Sequence, residues 1–496
     1  MTPEALADDP REAPVLPATP TDRRALVAID LGAGSCRVSL LRWNESVPSI
    51  ELVYRFPNHA VDGPNGLRWN MTLILDELQR GLTACADIAT EGIRSIAVDG
   101  WAVDYVRLDA HGAAVDDPFC YRDERTISSE PALHARLSPE RMRDIAGIQL
   151  LRINTAYQMF AEDPDLRRKR WLNLPEYVLY RLGGRPVAEL TNASHTQMLD
   201  LDGRWSQEIF AAIDAPIECA PDLVQPGSDI GQLSGPLSSL AVFSDTRLIA
   251  PACHDTASAI ASIPDTTDDW AYISSGTWSL VGTVLDSPVN TPQARTENFT
   301  NLRGVDGTFC FHKNVNGMWL LGQCMEAWNE QITLTHGVEG KPLTIESLVH
   351  TAQAFAPRGY TLDVDDADLL LPGHMPDRIN SQLRRRSLPE FDPTPVHAAE
   401  LASFLFHSLA ARYAEVLRSV ATLTGKNLQR LYVMGGGSKN ELLNHLTAQA
   451  TGLQVIRAGA ECSTVGNFAV QLATLEVPAN TTARPTSTWA TLLNPL

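Results

Sequence analysis

Four short segments of the sequence combine small residues with acids, amides or glycines in patterns that suit phosphate or sugar chemistry. The first runs from Asp30 to Arg37 and reads DLGAGSCR. Its small residues would let backbone N–H groups approach a phosphate, Arg37 could neutralise the phosphate charge, and Asp30 could hold Mg²⁺ through water. A plain hairpin turn that happens to contain an acid explains the same residues equally well.

The second segment, Cys253 to Ala259, follows an apolar run and places Asp255 at a strand-to-helix corner. An aspartate at the start of a helix is ordinarily just an N-cap. The catalytic alternative is that the helix dipole keeps the carboxylate ionised, so that a sugar hydroxyl can give it a proton while attacking phosphorus. Asp255 is therefore the candidate general base.

The third segment is a predicted strand, Leu431 to Met434, that runs into three glycines at 435–437 and then into a predicted helix. This much glycine is entropically costly and exceeds what a simple turn requires. We favour close approach of a ligand to bare backbone at the helix N-terminus.

The fourth segment, Lys313 to Leu321, places a polar pair and a glycine before an apolar helix. Asn314 is there either a sugar-hydroxyl ligand or an N-cap. Trp101 and Trp278 either stack on a sugar or fill the core, and the core is the commoner place for a lone tryptophan.

The first chemical segment lies between two predicted strands. Ala25–Ile29 and Val38–Trp43 are expected to form a hairpin around residues 32–37. A second acid-terminated strand, Ile93–Val98, is expected to return as a neighbouring strand over Val103–Leu108.

The second half repeats this arrangement, with a short strand at 272–273, a small polar turn at 274–277 and a strand over Trp278–Leu285. The two halves therefore resemble divergent copies. Leucines at helical spacing, at 73, 75, 78 and 82 and again at 401, 405 and 409, separate the strands and indicate an α/β fold in each half.

Composition excludes several classes of protein. A chain of 496 residues exceeds the roughly 250–300 that one core supports, so we expect two domains. The formal charge of −19 disfavours nucleic acid as a partner, and no apolar run suits a membrane span. Eight scattered cysteines favour the reducing cytoplasm. P-loop, dinucleotide-binding and zinc-ligand motifs are missing from the sequence.

Taken in order, these segments resemble the FGGY carbohydrate kinases. The resemblance runs from residue 25 to about 475 and rests on AIDLGAGSCRVSL, AVDGWAVDYVRLD, YRDERT, GIQLLRINTAYQ, LTNASHTQ, ACHDTASAIAS, YISSGTWSLVG, KNVNGMWLL, MGGGSKNELLNHLTAQATG and ECSTVGNFAVQL. It implies an α/β fold of two ribonuclease-H-like domains, as in actin and hexokinase-type ATPases, flanking a nucleotide cleft. We expect a disordered tail at 1–24, an N-terminal domain at 25–255, a C-terminal domain at 256–485 and a C-terminal tail at 486–496.

The same resemblance assigns site residues. It implies Asp255 as proton acceptor and Asp30 as the metal site. The implied sugar ligands are Ala102, His254, Asp255, Thr256 and Asn314, and the implied ATP ligands are Ala33, Gly34, Ser35, Cys36, Arg37, Thr277, Gln323 and Gly436. Two positions depart from the family pattern: Ala102 stands where a glycine is usual, and Gly322 where a glutamine is usual, with Gln323 one position later.

The activity implied by the resemblance is ATP-dependent phosphorylation of a ketose with Mg²⁺. L-rhamnulose, phosphorylated at its C1 hydroxyl, is the expected substrate, and L-fuculose or a pentulose is the alternative. A different class of alternative is a non-catalytic sugar or nucleotide sensor of the same fold. We expect a monomer or a small homo-oligomer with no nucleic-acid or membrane partner.

Overall fold

The structure is a computed structural model, and it describes residues 20–336, 340–371, 373–459, 461–476 and 485–494. Residues 1–19 of the tail expected at 1–24 lie outside the described residues. Across the described ranges, no helix has the length and apolar character needed to cross a membrane.

The first half of the chain folds around a six-stranded sheet. The strands of this half, both inside and outside that sheet, are β1 (Ala25–Leu31), β2 (Ser35–Asn44), β3 (Val47–Pro57), β4 (Val61–Gly63), β5 (Gly66–Arg68), β6 (Ile93–Gly100), β7 (Tyr105–Arg107), β8 (Trp171–Asn173), β9 (Val187–Glu189), β10 (Asp222–Val224), β11 (Ser228–Gln232) and β12 (Arg247–Ala250). Its helices are α1 (Met71–Ile88), α2 (Thr126–His134), α3 (Pro139–Ala146), α4 (Thr155–Phe160), α5 (Pro164–Arg167), α6 (Leu174–Arg181), α7 (Leu190–Ala193) and α8 (Gln207–Ala212).

Helix α9 (Asp255–Ala261) leads into the second half, which folds around another six-stranded sheet. Its strands are β13 (Trp270–Ser275), β14 (Trp278–Leu285), β15 (Thr300–Arg303), β16 (Phe309–Asn316), β17 (Arg430–Met434) and β18 (Gln454–Arg457). Its helices are α10 (Pro292–Thr296), α11 (Trp319–His336), α12 (Ile345–Ala352), α13 (Met375–Arg385), α14 (Ala398–Thr424), α15 (Glu441–Thr451), α16 (Cys462–Glu476) and α17 (Pro485–Leu493). The expected C-terminal tail thus contains most of α17, whose Trp489 is buried.

The two sheets share one topology. Strands β3, β2, β1, β6 and β12 lie side by side in the first, and β16, β14, β13, β17 and β18 in the second. In each set the first three strands pair antiparallel and the last two continue in parallel. This confirms the α/β class and the prediction that the halves are copies of one unit.

Burial explains which predicted elements form. Every residue of β1 is buried, because one face of the strand packs in a core cluster with α1 and the other packs with α16. On α1 the core face consists of Met71, Ile74, Leu78 and Leu82, while Leu73 is exposed. The predicted leucine face was therefore right for α1 only in part, whereas Leu401, Leu405 and Leu409 of α14 are all buried.

The expectation that Val103–Leu108 returns beside the second strand was wrong. The strand there, β7, pairs with β8 in a separate two-stranded ribbon. Both positions next to β6 in the main sheet are taken by β1 and β12, each in parallel. The chain therefore has to leave the sheet after Gly100, and Val103 adopts a left-handed conformation with φ of 72°.

Helix α16 links the two halves. It belongs to the second half by sequence, yet it packs on β1 and β6 of the first sheet and against α9. Gln471 on α16 donates to the Val27 carbonyl and accepts a hydrogen bond from the Ser95 hydroxyl. At the crossing with α9, a Cβ on Gly466 would lie 1.7 Å from the Ser258 carbonyl oxygen.

We predict that Gly466→Ala destabilises the protein by about 1–3 kcal/mol, because the added methyl group overpacks a backbone contact. The matched control is Gly322→Ala, a helical glycine whose added Cβ meets nothing within 4 Å. Alanine there should stabilise the helix by about 0.5–1 kcal/mol. Thermal and urea unfolding midpoints of both variants check this, and equal midpoints would contradict the packing argument.

Candidate active site

Asp255 lies at the corner between β12 and α9, as predicted, but it is the first helical residue and His254 is the N-cap. The Asp255 carboxylate makes no capping bond; its Oδ1 accepts a hydrogen bond from the Thr256 hydroxyl at 3.0 Å and lies 3.3 Å from Nε2 of His254. The side chain is 35% exposed, toward the cleft between the lobes. The carboxylate is thus available to a ligand.

Two more carboxylates lie near Asp255. Asp30 on β1 and Asp99 on β6 are register partners in the parallel sheet, and both are buried. Asp99 Oδ2 accepts a hydrogen bond from the Asn467 amide at 2.6 Å, while its buried Oδ1 has no partner in the described part of the chain. Sequence reasoning missed Asp99, although its place at the end of an apolar strand repeats that of Asp30.

Desolvation dominates the electrostatics of these acids. It raises the pKa of Asp255 to about 6. It also raises the pKa of Asp30, against the opposing effect of Arg37, and it raises the pKa of Asp99 well above its usual range, with repulsion from Asp30 adding to the effect. Three acids close together in a low-dielectric cleft favour a cationic ligand.

The first predicted phosphate loop is a hairpin turn between β1 and β2. Arg37 donates to Asp30 at 2.7 Å and lies 3.4 Å from Glu461, so it is already paired with carboxylates. The Cys36 side chain is buried in the core, and its backbone lies in β2 opposite Phe56 of β3. Ala33 and Gly34 lie in the turn itself, and the Ser35 hydroxyl accepts a hydrogen bond from Arg55.

The glycine run packs against the hairpin of the second sheet. Gly435 has φ of 80°, and a Cβ on Gly437 would lie 1.9 Å from the Ser275 hydroxyl. Gly436 is exposed, and its added Cβ would meet nothing within 4 Å. The backbone at Gly436 is therefore open to a ligand.

The expected position of these glycines at a helix N-terminus was wrong. A 3-10 turn at Gly436–Lys439 separates them from α15, and Asn440 caps that helix by accepting from the Leu443 N–H at 3.0 Å. The closure of the turn against Ser275 is what requires small residues there.

Thr277 lies at the exposed tip of the β13–β14 hairpin. Its carbonyl accepts hydrogen bonds from Gly317 and Trp319, which anchors the start of α11. Trp278 beside it is 46% exposed, so the expectation of a core position was wrong for Trp278, while Trp101 is buried against Trp69.

Asn314 lies inside strand β16 and not before a helix, so it is no N-cap. Its amide donates to the Gln149 side chain of the first lobe at 2.7 Å. His312, two residues earlier, shares the same face of the strand. Ala102 is buried just after β6, whose last residue, Gly100, bridges to His254.

Gln323 lies on the first turns of α11 and is partly buried. Its amide donates to Glu326 at 2.7 Å and its oxygen accepts from the Gly373 N–H at 3.4 Å. Gly322, one position earlier, is exposed. Both positions therefore lie near the N-terminus of α11, at or close to the protein surface.

Buried histidines form a group that sequence reasoning did not predict. Nε2 of His195 lies 3.1 Å from Nδ1 of His254, and the Tyr272 hydroxyl lies 2.8 Å from Nδ1 of His312. Burial lowers the pKa of His254 and of His312 to about 3, so both rings are neutral at physiological pH. Their sequence separations gave no local signal.

One cleft between the lobes brings together four of the predicted site residues, namely Asp30, Arg37, Asp255 and Thr256. Its walls include Asp30, Gly32, Arg37, Asp255 and Thr256 from the first half and Ser274, Gly435 and Ser463 from the second. Among the residues that the structure describes, no three His, Cys, Asp or Glu side chains converge as metal ligands.

Comparison with known proteins gives the same family for both halves. The profile of the FGGY family of carbohydrate kinases, N-terminal domain, matches residues 25–261, and that of the C-terminal domain matches residues 271–475. A rhamnulokinase from Ligilactobacillus salivarius is 33% identical over 456 residues, covering 91% of this chain and 90% of that protein. A rhamnulokinase from Pectobacterium atrosepticum is 36% identical over 461 residues, covering 91% and 88%.

The fold is similar to that of solved structures. The crystal structure of ligand-bound xylulose kinase from Lactobacillus acidophilus aligns with a TM-score of 0.75 over 95% of this chain and 92% of that chain. The two sequences are 16% identical, so the likeness concerns the fold alone.

The raised pKa of Asp255 predicts a pH-dependent effect on stability. The folded-state value of about 6 exceeds the unfolded value of about 3.9, so the folded protein binds more protons between these limits and wild-type stability falls as pH rises through them. Asp255→Asn does not titrate, so its unfolding midpoint relative to wild type should rise from pH 4 to pH 6 and stay level above. Asp87→Asn, at an exposed position of α1, is the control. A constant difference from pH 4.5 to 7.5 would contradict the desolvation argument.

Proposed function

Because the chain belongs to the FGGY family of carbohydrate kinases, we propose that it transfers the γ-phosphoryl group of ATP to the C1 hydroxyl of L-rhamnulose. The observation that carries the reaction is the meeting of the Asp255 carboxylate with the two small-residue turns in one interlobe cleft. The choice of sugar is supported by rhamnulokinases that are 32–36% identical over about nine-tenths of the chain.

We assign the general base to Asp255. The C1 hydroxyl proton would pass to the carboxylate as the hydroxyl oxygen bonds to the γ-phosphorus and the bond to the β-phosphate oxygen breaks, which releases ADP. The pKa of about 6 supports this role, because such a carboxylate is ionised near neutral pH yet more basic than an ordinary aspartate.

The proposed sugar ligands come from both lobes. His254 and Thr256 flank Asp255 in the chain, Ala102 follows the strand that bridges to His254, and Asn314 approaches from the second lobe. A neutral His254 can exchange hydrogen bonds with a hydroxyl without placing a second charge beside the base.

The proposed ATP ligands lie on the turns of both lobes. Residues 33–37 would offer backbone N–H groups and the Arg37 guanidinium to phosphate oxygens, and Gly436 offers an open backbone at which a nucleotide can lie. Thr277 and Gln323 complete the proposed set. The exposed position of Thr277 at the hairpin tip supports its role as an ATP ligand. The support for Gln323 is less direct, because its amide already donates a hydrogen bond to Glu326.

The acids of the cleft fit a divalent cation. Mg²⁺ is commonly held by one or two carboxylates together with substrate phosphates, and the paired positions Asp30 and Asp99 can supply two carboxylates. Asp30 and Asp99 would hold it, since the unpartnered Oδ1 of Asp99 is a buried acceptor in need of a positive partner. When bound, the cation would neutralise charge on the phosphates.

A cytoplasmic location and a monomeric or small homo-oligomeric state are also part of the proposal. The scattered, unpaired cysteines at 36, 85, 120, 219, 253, 310, 324 and 462 support the reducing compartment.

Asp255→Asn should lower kcat at least about 10²- to 10⁴-fold, because it keeps the shape of the side chain and removes the base. Calorimetric titration should give nearly unchanged dissociation constants for ATP and the ketose. Coupled detection of ADP measures the rate, with Asp87→Asn as the control. Near-normal turnover with intact sugar binding would defeat the assignment.

A panel of ketoses tests the sugar. We expect kcat/KM for L-rhamnulose to exceed that for L-fuculose, D-xylulose and L-ribulose, with mass spectrometry showing one added phosphoryl group per sugar. A higher value for another ketose would replace the substrate while keeping the reaction, and ATP binding without any phosphorylated sugar would favour a sensor.

A further inference from the structure

We propose that His195 is a positioning residue for Asp255, acting through His254 to fix which carboxylate oxygen receives the sugar proton. This inference deepens the proposed kinase function and rests on it. His195 follows α7 in a 3-10 turn, Ser194–Thr196, and it lies 60 positions before the base in the chain. The imidazole ring of His254 lies between His195 and Asp255.

The contacts form a continuous line to the base. Nε2 of His195 lies 3.1 Å from Nδ1 of His254, and Nε2 of His254 lies 3.3 Å from Oδ1 of Asp255. The two imidazole rings pack with centroids 3.8 Å apart. His254 is only 8% exposed, so little water is available to replace His195.

The charge on Asp255 determines which nitrogen of His254 carries the hydrogen. An ionised carboxylate can only accept, so the His254 nitrogen that faces it must carry the hydrogen. In a neutral ring the other nitrogen, Nδ1, is then a bare acceptor that requires a donor. Nε2–H of His195 is positioned to be that donor. Burial lowers the pKa of both rings, which keeps them neutral and preserves this assignment.

This arrangement makes the two oxygens of Asp255 unequal. The His254 ring and the Thr256 hydroxyl both contact Oδ1. In the described part of the chain, no side chain donates a hydrogen bond to Oδ2, and the backbone N–H of Thr256 makes a smaller contribution to the carboxylate than the Thr256 hydroxyl does. Oδ2 is therefore the oxygen left to receive the sugar proton, while Oδ1 is held from the protein side.

The segment that carries His195 also holds the backbone around the base. Glu189, fully buried, accepts a hydrogen bond from the Cys253 N–H at 2.8 Å, and the Thr191 hydroxyl accepts from the His254 N–H at 3.2 Å. The His254 backbone is thus fixed independently of its ring. Loss of His195 should then change the hydrogen position on the His254 ring more than the place of the ring.

Without the donor, the other tautomer of His254 becomes favourable. That tautomer would place a nitrogen lone pair opposite Oδ1, and the repulsion between them would replace the favourable contact that orients the carboxylate. A reactive group that loses its orientation by about 1 Å can lose about 10²-fold in rate. Sugar binding should suffer less, because sugar hydroxyls both donate and accept hydrogen bonds.

The test compares His195→Leu, which removes the donor, with His195→Gln, which keeps an N–H donor at similar reach. We expect His195→Leu to lower kcat about 10- to 100-fold, with ATP and ketose dissociation constants within about threefold of wild type, and His195→Gln to restore kcat to within about threefold. His445→Leu, at an exposed histidine of α15, is the control. Unfolding midpoints establish that each variant is folded, and His195→Phe, which keeps an aromatic ring beside His254, replaces the leucine variant if that one does not fold.

Three results would overturn the proposal. The first is a kcat of His195→Leu within twofold of wild type, and the second is equal loss of kcat in His195→Leu and His195→Gln. The third is a loss of kcat on adding His195→Leu to Asp255→Asn that is as large as in the wild-type background. A residue that acts through Asp255 should have little effect once Asp255 is Asn. Wild-type turnover on the ketose panel tests the proposed function separately. The ratios between variants are measured on whichever ketose that panel identifies.

Discussion

The crossing of α9 and α16 is the contact on which the geometry of the cleft depends. Helix α9 begins with the proposed base, and its backbone at Ser258 lies against Gly466, where no side chain fits between them. The same face of α16 brings Ser463 to Asp30 and Asn467 to Asp99. One helix from the second half of the chain therefore positions acids that all belong to the first half.

Desolvation limits how such a cleft can be built. Removal from water raises the pKa of Asp30, Asp99 and Asp255, and repulsion between nearby carboxylates adds to the effect at Asp30 and Asp99. Arg37 and the amide of Asn467 offset part of it. The remaining negative potential gives a physical reason for the site to bind a cation together with the polyphosphate, and desolvation keeps Asp255 more basic than an exposed aspartate.

The repeated topology places similar turns on opposite walls of the cleft. The β1–β2 turn approaches from the first sheet, and the β13–β14 turn, packed on the glycine run, approaches from the second. Polar contacts join the lobes on the proposed sugar side, such as the hydrogen bond from Asn314 to Gln149 and that from the Asn301 N–H to the Gly147 carbonyl. An interface of this kind can rearrange at low cost, which suits a kinase that must exclude water after the sugar enters.

Short-range patterns in the sequence determined much of this protein. Apolar runs ending in Asp30 and Asp99, the hairpin turns, the corner at Asp255 and the leucine faces were readable because strand and helix periodicity is local. Only the tertiary structure decided that β7 leaves the main sheet, that Asn314 lies inside a strand, and that a 3-10 turn separates the glycines from α15. It also decided that Asp99 faces Asp30 and that His195 contacts His254, which lies beside Asp255. These depend on strand register and on contacts between residues far apart in the chain, which residue type and spacing along one sequence do not specify.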